Sequence, residues 1–225
     1  MTAPSPFSAD RREQHEQHDG AGNMEVIAEP STNQESSAAP GMQPGVPDPL
    51  IPPLRDPNYL VQLLAQITGR SLDQVIERLR LEENDIGCTV RAELERKGIT
   101  PFVWSEALDQ FYAETDAFLY ELLVWNVTRY KNSLRQWIAT FLNRAQKNPV
   151  RILFFGDGLG LDSYYLAQAG HDVVSYEVAR LGVAFAESIR AASGIRNWTI
   201  TSDCNALPAT SFDVVVCLDV LEHVP

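Results

Sequence analysis

Basic residues are scarce in this chain. Its 225 residues hold 18 Lys and Arg against 30 Asp and Glu, a net charge of −12. An acidic surface repels nucleic-acid phosphates and anionic lipid, so neither nucleic acid nor membrane is an expected partner. Cysteine is scarcer. Cys88, Cys204 and Cys217 stand far apart with no C-x-x-C pair, which argues against a disulfide framework and for small buried side chains in a reducing cytosol. The N-terminus has no apolar segment of the secretory kind, and no stretch is long and apolar enough to span a bilayer. A soluble, cytoplasmic protein is expected. Hydrophobic residues make up 44% of the chain, enough for a core in one domain with an appendage.

What is present falls into three zones. Residues 1–53 hold nine of the 14 prolines, among Ser, Gln, Ala and Gly, with eight acids against two arginines. Such a segment buries too little apolar surface to offset the entropy of ordering, so an acidic disordered tail is expected. Residues 54–147 read as helical. Leu60, Leu63, Leu64 and Ile67 form one stripe that Gly69 closes. Ser71 and Gln74 make a capping box for a helix with Leu72, Val75, Ile76 and Leu79 on one face. A short helix is expected over 90–97. A long one follows Ser105, with Leu108, Phe111, Tyr112, Thr115, Phe118, Leu119 and Leu122 inward. The last places Tyr130, Leu134, Trp137, Ile138, Phe141 and Leu142 inward and stops before Pro149. Tyr112, Tyr120, Trp125 and Asn126 are the candidates for a substrate wall, since Tyr and Trp join apolar bulk to a polar handle.

From Val150 strand and helix patterns alternate. Residues 150–155 are a short apolar run that enters Gly156-Asp-Gly-Leu-Gly160, followed by a helix over 161–169. Strands are expected again at 172–177, 198–201 and 212–218, with a helix over 179–192 between the first two. This rhythm predicts an α/β fold, a Rossmann-like doubly wound parallel sheet of four strands, in residues 148–225. Gly156, Gly158 and Gly160 allow a tight turn at a helix N-terminus, where backbone N–H groups suit an anionic or polar ligand group. Glu177 ends the second strand 21 residues after Gly156, where an acid receives ribose hydroxyls in such sheets. After the third strand, Asp203 suits an adenine amine as acceptor and the Cys204 N–H suits the ring as donor. An adenosine-containing cofactor fits. A nicotinamide dinucleotide fits less well, because Leu161 stands where G-x-G-x-x-G has its third glycine.

The glycine turn with Ile152-Leu-Phe-Phe155 before it, Asp203 followed by Ala206-Leu-Pro208, and Phe212-Asp-Val-Val-Val-Cys-Leu-Asp-Val-Leu-Glu-His-Val-Pro225 resemble class I S-adenosylmethionine-dependent methyltransferases. The resemblance covers residues 150–225. It implies that Gly156, Gly158 and Gly160 lie against the methionine part of S-adenosylmethionine. It also implies that Glu177 holds the ribose, Asp203 the adenine amine, and that Asp219 sits beside the cofactor. Many members carry an acid where this chain has Phe154; Asp157 within the turn is the candidate replacement. The helical segment then becomes a lid over cofactor and substrate.

The implied reaction is methyl transfer to a small-molecule acceptor at oxygen, nitrogen or carbon. In-line displacement needs alignment and desolvation above all; for a hydroxyl acceptor His223 is the candidate base, with Asp219 beside it. Asp219, Glu222 and His223 also resemble a divalent-cation group of some quinone-type O-methyltransferases, although no metal is the expectation. The family's core continues beyond four strands, so a truncated enzyme of open activity is expected, with strand four as an apolar edge. Two rivals are a non-catalytic partner-binding protein with a vestigial Rossmann half, and a nicotinamide-dependent oxidoreductase.

Overall fold

The computed structural model describes residues 56–144, 149–207 and 211–221. The acidic tail, Pro208, Glu222 and His223 lie outside them. Helix α1 (Pro57–Thr68) starts as its local chemistry requires: the Asp56 carboxylate accepts from the Asn58 and Tyr59 N–H groups, both at 3.1 Å, and left-handed Gly69 closes it. Ser71 and Gln74 form the expected reciprocal capping box at α2 (Leu72–Asn84). Helix α3 (Cys88–Lys97) ends at left-handed Gly98.

Three helical expectations are corrected. The long helix after Ser105 is two, α4 (Glu106–Glu114) and α5 (Ala117–Val127). Thr115 turns extended, and its hydroxyl accepts from the Ala117 N–H. Asp116 is drawn aside by Arg70 at 2.5 Å and Arg78 at 3.3 Å. Serine, threonine and aspartate compete with the helix in this way. Helix α6 (Arg129–Asn143) forms where expected but faces otherwise. Tyr130, Trp137 and Phe141 are exposed, whereas Lys131 and Arg135 are buried with Ile138, Ala139 and Leu142. In α2, Leu72 and Ile76 likewise point outward while Val75 is buried.

The α/β part follows the expected rhythm: β1 (Arg151–Phe155), α7 (Leu161–Gln168), β2 (Asp172–Tyr176), α8 (Arg180–Ser193), β3 (Trp198–Thr201) and β4 (Val214–Cys217). The strands form one parallel sheet in the order β3-β2-β1-β4. Ile152 pairs in register with Val173 of β2 and Val214 of β4, and Val173 with Trp198 of β3. The carboxyl ends of all four strands therefore share one edge. One apolar cluster runs from Leu60, Leu63 and Leu64 of α1 through Leu119 and Leu123 of α5 to Phe154, Tyr165, Phe185 and Val216. Helix α7 is buried along its length from Leu161 to Ala167, because α6 covers one side of it and the sheet the other. The helices and the sheet thus share a core, and the edge of the sheet opens beneath α4 to α6.

Candidate functional site

A cavity of about 620 Å³ lies at that edge, within the range of small-molecule sites. Its sheet side begins at the glycine turn. Gly156, Gly158 and Gly160 are all left-handed, at φ 72°, 61° and 71°. A Cβ on Gly158 would come 2.7 Å from Leu122 Cδ1 of α5, and one on Gly156 would come 2.5 Å from Val220 Cγ2. Two apolar side chains therefore close directly over bare backbone. The packing goes one layer deeper, since a Cβ on Gly182 of α8 would meet the Gly158 carbonyl oxygen at 2.5 Å.

Glu177 holds this turn. Its Oε2 accepts from the Gly158 N–H at 2.7 Å, while Oε1 accepts from Val178 N–H at 2.7 Å and Ala179 N–H at 2.8 Å. Burial raises its pKa, and the three backbone donors oppose the rise. A carboxylate has about four acceptor sites. Three are taken, which leaves one open position rather than two for a ribose. Asp157 accepts from the Ser163 N–H at 2.9 Å. Burial, then the nearby Asp162 charge, push its carboxyl up from the usual range, with Ser163 and Lys131 opposing.

An ion network that sequence patterning missed ties the helices to this turn. Asp162, in the first turn of α7, pairs with Lys131 Nζ at 2.7 Å and Arg135 Nε at 2.6 Å, all three nearly enclosed. Arg135 Nη1 also donates to the Asn126 carbonyl at 2.8 Å, and Arg135 Nη2 to the Asn126 side-chain oxygen. Neither cation belongs to the apolar stripe of this helix. Their spacing, i and i+4 on α6, was the available signal, because two cations so placed can share one buried acid.

The far wall is helical. Tyr112, Trp125 and Asn126 line the cavity, joined by Trp104, Phe118 and Ile86. Tyr112 stacks on Phe118 with centroids 5.3 Å apart, and Trp125 tilts against Tyr130 at 5.6 Å. Tyr120 is corrected: it is fully buried in the helical core, its ring 5.2 Å under the Arg78 guanidinium. Tyr120 lies eight residues after Tyr112 and beyond the break at Thr115, so the two are on different helices and need not share a face.

Further corrections concern the sheet edge. Gly160 faces away from the cavity, where a Cβ would come 2.6 Å from the Trp198 ring and 2.7 Å from Ala186 Cβ; it serves close helix–strand packing. Asp203 and Cys204 stand exposed beyond β3, outside the cavity wall. There Asp203 caps the turn Cys204–Ala206 by accepting from the Asn205 N–H at 2.9 Å. Cys204 is therefore not the buried side chain expected of it. Asp219 lines the cavity from the end of β4, in a left-handed conformation at φ 54°. Phe154 is buried in the cavity floor. Glu222 and His223 lie outside the described residues, and with them two of the three metal candidates. Among the described residues no group of three or more His, Cys, Asp or Glu side chains is arranged for a metal ion. No described helix is long and apolar enough to cross a membrane.

Glu121 of α5 is the wall residue that sequence reading passed over. Its Oε2 is enclosed without a hydrogen-bond partner, a state that costs on the order of 1–3 kcal/mol. Burial and then the Glu82 charge push this carboxyl up to about 7, against an opposing pull from Arg91.

An open parallel sheet with a glycine turn after its first strand and an acid closing its second is the architecture of nucleotide-type sites at a strand edge. Known proteins narrow this. Residues 153–225 match the family model described as a methyltransferase domain. Over 99 residues the chain is 35% identical to the ubiquinone biosynthesis O-methyltransferase of Pseudomonas fluorescens (strain SBW25), covering 42% of this chain and 41% of that protein. The chain thus spans less than half the length of this curated relative. The stretch that begins in β1 is similar to methyltransferase domains.

Proposed function

We propose that the protein binds S-adenosylmethionine at the glycine turn and transfers its methyl group to a small-molecule acceptor on the helical side of the cavity. The observation that carries this reading is the charge of one continuous cavity. Asp157, Glu177 and Asp219 line it on the sheet side, while Lys131, the one cation of the lining, is paired with Asp162. Such a wall favours a ligand with an ammonium and a sulfonium. The turn's helix N-terminus suits the carboxylate of the same amino-acid moiety. Glu177 would take one ribose hydroxyl at its open position. Taking the second requires release of a backbone donor. Val178, 53% exposed just beyond it, offers an apolar contact for the base.

When bound, the cofactor supplies an electrophilic methyl group. The chain's part is to bind, align and exclude water, and Leu122 and Val220 close over the turn for that purpose. The name of the relative, an O-methyltransferase, favours oxygen as the acceptor atom. The test is equilibrium binding of S-adenosylhomocysteine to the full 225-residue chain, with Glu177→Gln as the comparison. Saturable binding weakened roughly tenfold or more by the substitution is expected, since a hydrogen bond to a charged group contributes about 1.5–3 kcal/mol. No binding by the wild type, or equal binding by a folded Glu177→Gln, overturns the reading.

A further inference from the structure

The enclosed carboxylates around the site are partnered, with one exception. Glu82 accepts from the Gly87 and Thr89 N–H groups at 2.5 and 2.9 Å and from the Thr89 hydroxyl. Asp162 has two cations, and Glu177 has three backbone donors. Glu121 Oε2 is the only enclosed carboxylate oxygen without a partner among the described residues. Its side chain lines the cavity on the helical side, one residue from Leu122, which sits over Gly158. A native fold seldom leaves a buried polar atom unsatisfied, and such atoms cluster where a ligand completes them.

The surroundings define what that ligand is. Trp104, Tyr112, Phe118 and Trp125 give this end of the cavity aromatic walls, which suit a flat apolar body. Asp109 and Glu121 add two acids to the three of the sheet side, and Lys131, the one cation of the lining, is paired with Asp162. An anionic acceptor is repelled there. A carboxylate is acceptor-only, so the missing partner is a donor. A phenolic hydroxyl meets each demand, and its acidity lies far closer to that of a carboxyl than an aliphatic alcohol's does.

We propose that Glu121 is a catalytic residue of an acceptor subsite on the helical side of the cavity, where it binds the hydroxyl of an uncharged phenol and takes its proton during methyl transfer. The proposal rests on the methyl-transfer reading above. As the acceptor oxygen forms its bond to the methyl carbon, the carbon–sulfur bond breaks with its electron pair left on sulfur. The hydroxyl proton passes to the Glu121 carboxylate, which returns it to water after the product leaves. The carboxyl at about 7 is suited to that exchange near neutral pH. The charged groups that face it are Glu82 of α2, which raises its pKa, and Arg91 of α3, which lowers it. Asp109 of α4 and Asp219 of the sheet edge share the cavity, and Lys131 of α6 is held by Asp162.

The experiment uses the full chain with 4-butylphenol as probe, and benzylamine and benzoate as the cationic and anionic controls. Binding is read by quenching of Trp104 and Trp125 fluorescence from pH 5.5 to 8.5, first without cofactor. Methyl transfer from S-adenosylmethionine is then measured over the same range. S-adenosylhomocysteine affinity and thermal midpoint are read on the same samples. Phenol affinity and kcat/KM should rise with pH along a limb centred near 7. Glu121→Gln should flatten the limb and lower kcat/KM roughly 100-fold, as for loss of a general base. Arg91→Met should move the limb to higher pH, which a merely structural role for Glu121 would not produce. A pH-independent phenol affinity, an unmoved limb in folded Glu121→Gln, or preference for benzoate overturns the proposal. If S-adenosylhomocysteine fails to bind while the phenol limb persists and is lost in Glu121→Gln, the subsite stands and the cofactor reading falls.

Discussion

The two sides of the cavity treat buried charge in opposite ways. On the sheet side, Glu177 is held by three backbone N–H groups, so its position follows from where β2 ends and α8 begins. On the helical side, Lys131, Arg135 and Asp162 satisfy one another across two helices, and Glu121 is left with an unpartnered oxygen. A carboxylate held by local backbone is a structural fixture that can also meet a ligand. One held by nothing has a position dictated by its helix and a partner still to come. A rigid strand edge thus faces a helical wall whose polar group is left available.

The sharpest way to break this contrast is to remove the shared acid. Asp162→Ala leaves Lys131 and Arg135 buried without their counter-charge, and should cost about 3–5 kcal/mol in urea denaturation. A loss below about 1 kcal/mol would mean that the helices are held to the turn by apolar packing alone. The glycine turn gives the next effect. Gly160→Ala places a methyl 2.6 Å from the Trp198 ring in a left-handed backbone, so strain and overpacking together should cost roughly 2–4 kcal/mol. Gly69→Ala, at φ 69° but with open space around it, should cost only about 1 kcal/mol. Equal costs would show that φ alone decides, and that the Trp198 contact yields.

Glu121 supplies the subtlest test. Its folded pKa, about 7 against an ordinary value of 4.5, lies above that of the unfolded chain, so the folded state favours the protonated form. The contribution to stability is therefore fully present below about 4.5 and is lost as pH rises through 7. Glu121→Gln should be close to neutral at pH 4.5 and stabilising by on the order of 1–3 kcal/mol at pH 8. The readout is the difference in denaturant midpoint at the two pH values. A gain that is the same at both would place the unpartnered oxygen in contact with water.

Legibility in the sequence divides along the same line. The capping signals at Ser71 and Ser105 located two helix starts, and the strand–turn–helix rhythm from Val150 located the parallel sheet, because these signals act over short stretches of chain. Glu177 was found through its distance from Gly156. The aromatic stripe of α6 misled, since Tyr130, Trp137 and Phe141 have the spacing of a buried face but are 65%, 64% and 60% exposed. The face that turns inward is decided by Asp162 on a different helix, which offers Lys131 and Arg135 more than solvent does. Tyr120 failed for a related reason. The break between α4 and α5 depends on Arg70 and Arg78 reaching Asp116, and it rotates everything after it.

Chain-local chemistry settles the elements, their caps, the glycine turn and the acid that closes β2, because each rests on backbone geometry or on partners a few residues away. Tertiary structure alone decides that Gly160 packs on Trp198 rather than facing a ligand, and that Asp203 stands outside the cavity. It also decides that an unmarked glutamate in α5 carries an enclosed oxygen without a hydrogen-bond partner. Those outcomes depend on which helix covers which edge of the sheet. The free energy of that choice comes from apolar burial and ion pairing between residues far apart in the chain, for which a single sequence carries no spacing rule.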